Sequence, residues 1–344
     1  MRILDFRSDT VTRPTPEMRA AMASAEVGDD VLDRDPTMAK LELRVADLLG
    51  QEAALWTPTG CMANGIAMML HLHRGDRFLA PAQAHVLGSE LGSAAWLAGG
   101  MPEALAWQGT PGRITADQVR KAAGNSGPYY TLRTTLLCLE NTHNFAGGTC
   151  VSLQEHRELT AAAREKKLAV HLDGARLWHA AAFLNSSPHE LAEGTDTVSI
   201  CLSKGLGAPM GSLLVSTQER IEEARRIRKM LGGGIRQGGI MAAAGLVALD
   251  YLPHLPEDHA KASELAMGLR ALGFTSEPPE TNILLVPVAS VPKATGLLKE
   301  AGVLVTSVGS ALRFITHRDI AAGEIKEALL RIAPCAEAIQ SAVA

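Results

Sequence analysis

The sequence lacks the cysteine patterns that metal sites and disulfide frameworks use. It contains five cysteines, and no two of them form a CxxC pair: Cys61, Cys138, Cys150, Cys201 and Cys335. An odd and scattered set argues against a structural zinc site and a disulfide framework, so we expect no metal and a reducing, cytoplasmic setting. Cys138 and Cys201 lie inside apolar runs, which predicts buried thiols.

The sequence also lacks an excess of positive charge and a long apolar stretch. The formal net charge is −4, and no block rich in lysine and arginine is interleaved with aromatic residues. Residues 1–7 contain no apolar signal segment, and no uncharged stretch is long enough to span a bilayer. We therefore expect neither a nucleic acid nor a membrane as a partner. No G-x-G-x-x-G follows a predicted strand, which argues against a nucleotide site.

The chain is long and rich in apolar sequence. Its 344 residues are 47% hydrophobic, which is enough for two packed units that share a core. Short apolar runs alternate with helical patterns, which predicts an α/β fold with a parallel or mixed sheet covered on both faces. Pro253 and Pro256 then interrupt the chain, and a mixed helix–strand order follows. We expect a large α/β domain over residues 1–250 and a small α+β domain over residues 251–344.

Several elements can be placed from capping and apolar spacing. Asp35 before Pro36 predicts the start of a helix that Gly50 ends. Ser152 and Glu155 form a capping-box pattern that opens another helix. Six strands are predicted from apolar runs: residues 53–56, 77–80, 135–139, 168–172, 197–202 and 212–216.

Two of these runs end in charged residues followed by glycine. Asp173 follows one run, Lys204 follows the other, and 31 residues separate them, which is the length of one strand–helix–strand repeat. Side chains at the carboxyl ends of parallel strands meet in one crevice. Pyridoxal phosphate needs such a pair, because an amine bonds to its aldehyde and a carboxylate keeps its ring nitrogen protonated. An ordinary ion pair or two solvated loop residues is the alternative. Arg176, three residues after Asp173, lies in the same predicted turn.

Other polar groups follow neighbouring strands. Gly60 ends a turn after the first predicted strand and leads into a helix, where free N–H groups suit a phosphate. His85 follows the next strand, where an imidazole can stack on a flat ring or simply be a surface side chain. Residues 140–144 place further polar groups after another strand. The coincidence of four polar strand ends is the strongest argument for a site.

The motifs together resemble the low-specificity L-threonine aldolases. The segments that carry the resemblance are residues 6–14, 27–31, 140–144, 172–177, 200–209 and 228–237. The likeness runs from about residue 3 to beyond residue 316. It implies a fold-type-I pyridoxal phosphate enzyme with an aspartate-aminotransferase-like architecture. It also implies a homo-oligomer, usually a tetramer built from dimers, whose sites lie at the subunit interface.

The resemblance implies a role for each matching position. Lys204 matches the lysine that bonds to the cofactor, Asp173 the partner of the ring nitrogen, and His85 the histidine that stacks on the ring. Gly60 and Cys61 match the phosphate-binding turn. Arg176 matches a residue near the cofactor and the substrate carboxylate, and Ser8 and Arg313 match the pair that binds that carboxylate. Lys229 and Arg236 match basic residues that reach a neighbouring subunit's site.

Four positions depart from the family pattern. Cys61 stands where threonine is usual, Leu32 where tyrosine is usual, and Ser89 where a bulky aromatic residue is usual. Tyr130 occupies the position of a second active-site histidine in many members. The last two positions lie near the substrate's β-substituent in the family.

The activity implied is retro-aldol cleavage of L-threonine, L-allo-threonine and related L-β-hydroxy-α-amino acids to glycine and an aldehyde. It would serve threonine breakdown and glycine formation. His85, acting directly or through water, is the first candidate for the base, and water or phosphate is the alternative. Two other functions stay open, namely a related β-eliminating or β-replacing lyase and a cofactor-binding protein without activity.

Overall fold

The computed structural model describes residues 2–124 and 127–341. Twelve strands are present in these segments: β1 (Leu4–Asp5), β2 (Ala53–Thr57), β3 (Arg77–Pro81), β4 (Met101–Leu105), β5 (Thr134–Glu140), β6 (Ala169–Gly174), β7 (Thr197–Cys201), β8 (Ser212–Ser216), β9 (Ile283–Pro287), β10 (Val303–Leu304), β11 (Thr306–Val308) and β12 (Ala311–Ile315).

The described segments also contain fifteen α-helices: α1 (Pro16–Ala23), α2 (Pro36–Leu49), α3 (Gly60–His71), α4 (His85–Gly88), α5 (Ser93–Trp96), α6 (Ala116–Ala123), α7 (Leu153–Glu165), α8 (Leu177–Leu184), α9 (Pro188–Ala192), α10 (Gln218–Met230), α11 (Gly239–Ala248), α12 (Leu255–Ala271), α13 (Val291–Glu300), α14 (Ala322–Ile332) and α15 (Ala336–Gln340). None of them has the length and apolar character needed to span a membrane.

Seven strands form the main sheet, in the order β2-β8-β7-β6-β5-β3-β4. Strands β7, β6, β5, β3 and β4 run parallel, whereas β8 is antiparallel to both of its neighbours. The predicted α/β fold with a mixed sheet is therefore confirmed. The register pairs Asp173 with Glu140 on one side and with Ser199 on the other. This pairing brings three polar side chains to one level at the carboxyl ends of β5, β6 and β7.

The predicted caps are confirmed. The Asp35 carboxylate accepts hydrogen bonds from the N–H groups of Thr37 and Met38 at the start of α2. Gly50 ends that helix with φ = 60°, a left-handed conformation that glycine adopts without strain. Ser152 and Glu155 cap α7 reciprocally. Strand β6, predicted over residues 168–172, continues to Gly174 because Gly174 pairs with Ile200 of β7.

Within the described residues, the apolar core around the main sheet is divided into three clusters, and a second core surrounds the three-stranded antiparallel sheet β11-β12-β9. Leu4 and Phe6, from the start of the chain, lie in the second core beside Phe314. Burying the Phe6 side chain stabilises this arrangement by about 1.5–3 kcal/mol. Strand β1 also pairs with β10, so the N-terminal segment is anchored at the C-terminal unit before it continues toward the main sheet. The domain division at residue 250 stays a prediction.

The buried thiols are also confirmed. Cys138 is 1% exposed and Cys201 is 5% exposed. Both lie in strands of the main sheet, as the apolar runs around them predicted.

Candidate active site

A cavity of about 610 Å³ opens at the carboxyl ends of β5, β6 and β7. Eight residues predicted from the sequence line it: Ser8, Gly60, Cys61, His85, Asp173, Arg176, Lys204 and Arg313. Ser89 also lines it, whereas Leu32 and Tyr130 are exposed by 75% and 77% and are not among the described lining residues. The structure thus brings together residues that are far apart in the sequence.

Lys204 lies in the turn that follows β7. Its ammonium group has no hydrogen bond or ion pair within the part of the chain that the structure describes, although the side chain is only partly exposed. The Thr12 hydroxyl donates a 2.9 Å hydrogen bond to the Lys204 carbonyl oxygen, which ties this turn to the N-terminal segment. The amine is therefore held in the cavity wall and is available to a ligand.

Asp173 is a buried carboxylate at the end of β6. Its Oδ1 accepts a hydrogen bond of 3.0 Å from the Ala175 N–H, and its Oδ2 accepts one of 2.8 Å from Asn64 Nδ2. Burial opposes its ionisation, but the charges of His85 and Lys204 and the Asn64 hydrogen bond outweigh burial and lower its pKa. Asp173 is therefore ionised at neutral pH.

Asn64, on α3, was missed by sequence reasoning. Its amide nitrogen donates to Glu90 Oε1 at 2.7 Å as well as to Asp173. Its Oδ1 contacts Ser199 Oγ at 2.6 Å and His171 Nε2 at 3.0 Å. These four contacts use the whole hydrogen-bonding capacity of an amide, so the side chain has one orientation.

His171 completes this network below the cavity. Burial lowers the pKa of His171 to about 4, so the ring is neutral at pH 7. Its Nε2 donates to Asn64, because the Asn64 nitrogen already faces two carboxylates and leaves the oxygen for His171. A polar residue inside the apolar stretch of α3 was the available signal for Asn64.

His85 begins α4 and is held from two sides. Its backbone N–H donates to Glu140 Oε2 at 2.7 Å, and its ring Nδ1 lies 2.8 Å from Glu90 Oε1. Burial lowers the pKa of His85, but the carboxylates of Glu90, Asp173 and Glu140 raise it by more, so the net direction is upward. Glu140 is buried itself, and burial raises its pKa.

Arg176 is engaged by a residue that the sequence analysis left without a role. Its Nε and Nη2 donate to the two carboxylate oxygens of Asp9 at 2.8 and 2.6 Å, and both side chains are buried. The charge of Arg176 outweighs the burial of Asp9 and holds its pKa well below the usual range. The remaining Nη1 donates to Asn144 Oδ1 at 3.0 Å.

Arg313 has more hydrogen-bonding capacity left than Arg176. Its Nη1 donates to Asn144 Oδ1 at 3.2 Å, and its buried Nε has no partner among the described residues. Burial and the neighbouring Arg176 lower the pKa of Arg313 to about 10, so the guanidinium is still charged at neutral pH. An anionic group in the cavity would satisfy this side chain.

The structure does not bring every predicted residue into the cavity. Arg236 is exposed and pairs with Asp29 at 2.7 Å, and Lys229 is exposed on α10. Neither is among the described residues that line the cavity. Their predicted contact with a neighbouring subunit stays a prediction. The expectation that the protein binds no metal also stays a prediction. Donor atoms of Cys61, His85 and Glu90 lie within 4.8 Å of one another, which is close enough for the three to share a metal ion.

The chain is similar to known enzymes over almost its whole length. A family profile described as β-eliminating lyase matches residues 5–290. Low-specificity L-threonine aldolase 1 of Arabidopsis thaliana is 39% identical over 337 residues, which cover 94% of this chain and 94% of that protein. Threonine aldolase from Leishmania major superposes with a TM-score of 0.82 at 20% identity, covering 97% of this chain and 99% of that chain. A structure of SPT with PLP superposes with a TM-score of 0.76 at 20% identity, covering 98% of this chain and 88% of that chain.

Proposed function

This chain belongs to the low-specificity L-threonine aldolase family, and from that premise we propose that it cleaves L-threonine, L-allo-threonine and related L-β-hydroxy-α-amino acids to glycine and an aldehyde. It is a carbon–carbon lyase of the fold-type-I architecture, with pyridoxal 5′-phosphate as its cofactor. One observation of the structure carries this conclusion. Lys204, whose amine has no partner among residues 2–124 and 127–341, lines the same cavity as the buried, ionised carboxylate of Asp173.

The residues present fit this cofactor. Lys204 offers an amine for the aldehyde, and Asp173 has acceptor capacity left for a protonated ring nitrogen. Gly60 and Cys61 lie in the first turn of α3, where a helix leaves its N–H groups without partners inside the helix. His85 presents a half-buried planar ring to the cavity. These are the amine, carboxylate, anion site and stacking surface that the group requires.

Bound pyridoxal phosphate supplies the electron sink that accepts the pair from the breaking Cα–Cβ bond. Asp173 keeps a proton on the ring nitrogen and so maintains that sink. Arg313 and Ser8, which line the cavity, would bind the substrate carboxylate and so orient the Cα–Cβ bond for cleavage. Arg176 contributes mainly by holding Asn144 next to Arg313, since Asp9 occupies two of its nitrogens.

A base must remove the proton of the β-hydroxyl group as the bond breaks. His85 is our candidate, because its ring lines the cavity and its Nε2 has no hydrogen bond within the described residues. Imidazole is the side chain most often used as a proton acceptor near neutral pH. A His85→Asn enzyme that retains cofactor but still cleaves threonine at the parent rate would remove His85 from this role.

The products decide between the proposed activity and a second candidate. The family profile's description favours β-elimination as the alternative, in which a keto acid and ammonia are released. Purified enzyme should be incubated with threonine, allo-threonine and phenylserine, and the products identified by mass spectrometry. Glycine with the matching aldehyde supports the aldolase, and a keto acid with ammonia supports the eliminating lyase. Absence of both with all three substrates contradicts either enzyme.

Replacing Arg313 with alanine is expected to raise the KM for threonine about 10- to 100-fold, since losing a charge-assisted hydrogen bond costs about 1.5–3 kcal/mol. The matched control is Arg226→Ala, because that side chain is 79% exposed on α10. Steady-state kinetics with threonine measures both KM values. If the two variants keep the KM of the parent, Arg313 does not bind the substrate carboxylate.

The proposal also covers the compartment, the metabolic role and the oligomeric state of the enzyme. We place the enzyme in the cytoplasm, where its five cysteines, all free thiols, stay reduced. There it would serve threonine breakdown and glycine formation. We further propose a homotetramer built from two dimers, in which Lys229 and Arg236 reach the cavity of a neighbouring subunit. Sedimentation of a fully active monomer would contradict that assembly.

A further inference from the structure

Glu90 is a buried carboxylate in the turn between α4 and α5, and the steps described above give it no role. Its side chain is 2% exposed. Its Oε1 lies 2.7 Å from Asn64 Nδ2 and 2.8 Å from His85 Nδ1. Glu90 therefore joins the imidazole that faces the cavity to the amide that holds Asp173.

The contacts around Glu90 fix where the protons are. Asn64 cannot turn its oxygen toward Glu90, because that would place the oxygen against two carboxylates. Its nitrogen therefore donates to Glu90 Oε1, which must carry no proton. Because Oε1 is an acceptor, His85 Nδ1 must be the donor. In the neutral ring the lone pair then lies on Nε2, the nitrogen available to a substrate hydroxyl.

The titratable groups around His85 come from four parts of the fold. Glu90 belongs to the turn after α4, Asp173 to β6 and Glu140 to β5, and all three raise the pKa of His85. Cys61 of α3 lies within 4.8 Å but has a raised thiol pKa and is neutral at pH 7. Of the three carboxylates, Glu90 is the one that contacts the ring nitrogen, since Glu140 contacts the backbone N–H of His85 and no hydrogen bond joins Asp173 to the ring within the described segments.

We propose that Glu90 is a positioning residue for His85, which holds the proton on Nδ1 and thereby directs the basic Nε2 to the substrate. This inference rests on the proposed function, because it concerns the base of the same reaction. The chemistry corresponds to a carboxylate that orients a histidine and stabilises the imidazolium formed when the histidine accepts a proton. Glu90 acts only through His85 and does not itself contact the reacting atoms.

The test is the isosteric variant Glu90→Gln, which keeps the shape of the side chain and removes its charge. We expect the pKa of His85 to fall by about one unit or more, since an adjacent opposite charge shifts a pKa by roughly 1–3 units. Deuterium exchange at the carbon between the two ring nitrogens, read by mass spectrometry on the holoenzyme, gives the pKa of each histidine separately. The acidic limb of the kcat/KM profile should move to lower pH by the same amount.

The matched control is Glu42→Gln. Glu42 is also a buried carboxylate, but it accepts a hydrogen bond from the backbone of Trp56, away from His85. This variant should leave the pKa of His85 unchanged, and circular dichroism should show that both variants are folded. An unchanged pKa of His85 in Glu90→Gln would overturn the inference. A shifted pKa in a protein that cleaves no threonine would refute the proposed function while still supporting the link between Glu90 and His85.

Discussion

The Lys204→Ala enzyme is expected to lose threonine cleavage by at least about 10³-fold, which is within the range that one catalytic group contributes. Lys204 supplies the side-chain amine among the described residues that line the cavity, and no neighbouring lysine there can replace it. The fold should survive, because the Lys204 side chain makes no hydrogen bond or ion pair within the described segments. Its carbonyl contact to Thr12 is a backbone contact and is retained.

Two measurements check this expectation. The rate of glycine formation should fall, and the visible absorbance of the bound cofactor should be lost or shifted. The matched control is Lys40→Ala, since Lys40 is exposed on α2 and is not among the described residues that line the cavity. Borohydride reduction and peptide mapping of the parent enzyme should place the cofactor on Lys204. A label on a different lysine would refute the proposed cofactor chemistry.

The regular parts of the fold were predictable because their signals are local. Asp35 and Gly50 bound α2 through contacts within a few residues. The central strands are buried on both faces, and their apolar runs show this directly. Strand β4 was missed because it is an edge strand with an exposed Pro102 and a partly exposed Glu103. Strand β1 was missed because it has two residues and depends on a partner, β10, about 300 residues away.

The site was predictable where parallel strands bring their ends together. Asp173 and Lys204 follow adjacent strands, so the topology alone places them at one edge. Asn64 and Asp9 were missed because their roles depend on distant partners. Asn64 bonds to Asp173 across 109 residues, and Asp9 bonds to Arg176 across 167 residues. The polar side chain of Asn64 within the apolar stretch of α3 marks a buried polar contact but does not identify its partner, and Asp9 carries no local sign of its contact.

The buried pair of Asp9 and Arg176 leads to the second large expectation. Replacing Asp9 with asparagine should destabilise the folded state by about 3–5 kcal/mol, because Arg176 would remain buried without a counter-charge. Urea unfolding of the holoenzyme measures this difference. The matched control is Asp5→Asn, since Asp5 also pairs with an arginine at 2.6 Å, but Arg7 is 49% exposed. Exposed pairs contribute about 0–1 kcal/mol, so the control should cost little.

The pH dependence gives an independent check on the same pair. Because the pKa of Asp9 is lower in the folded state than its unfolded value of about 3.9, its contribution to stability is complete above that value. The contribution is lost as the pH falls toward the folded pKa. The free energy of unfolding of the parent should therefore fall more steeply below about pH 4 than that of Asp9→Asn. The double variant Asp9→Asn with Arg176→Gln removes both charges and should cost less than the sum of the two single changes. Additive costs, or an Asp9→Asn cost no larger than that of Asp5→Asn, would mean that the two charges do not stabilise each other.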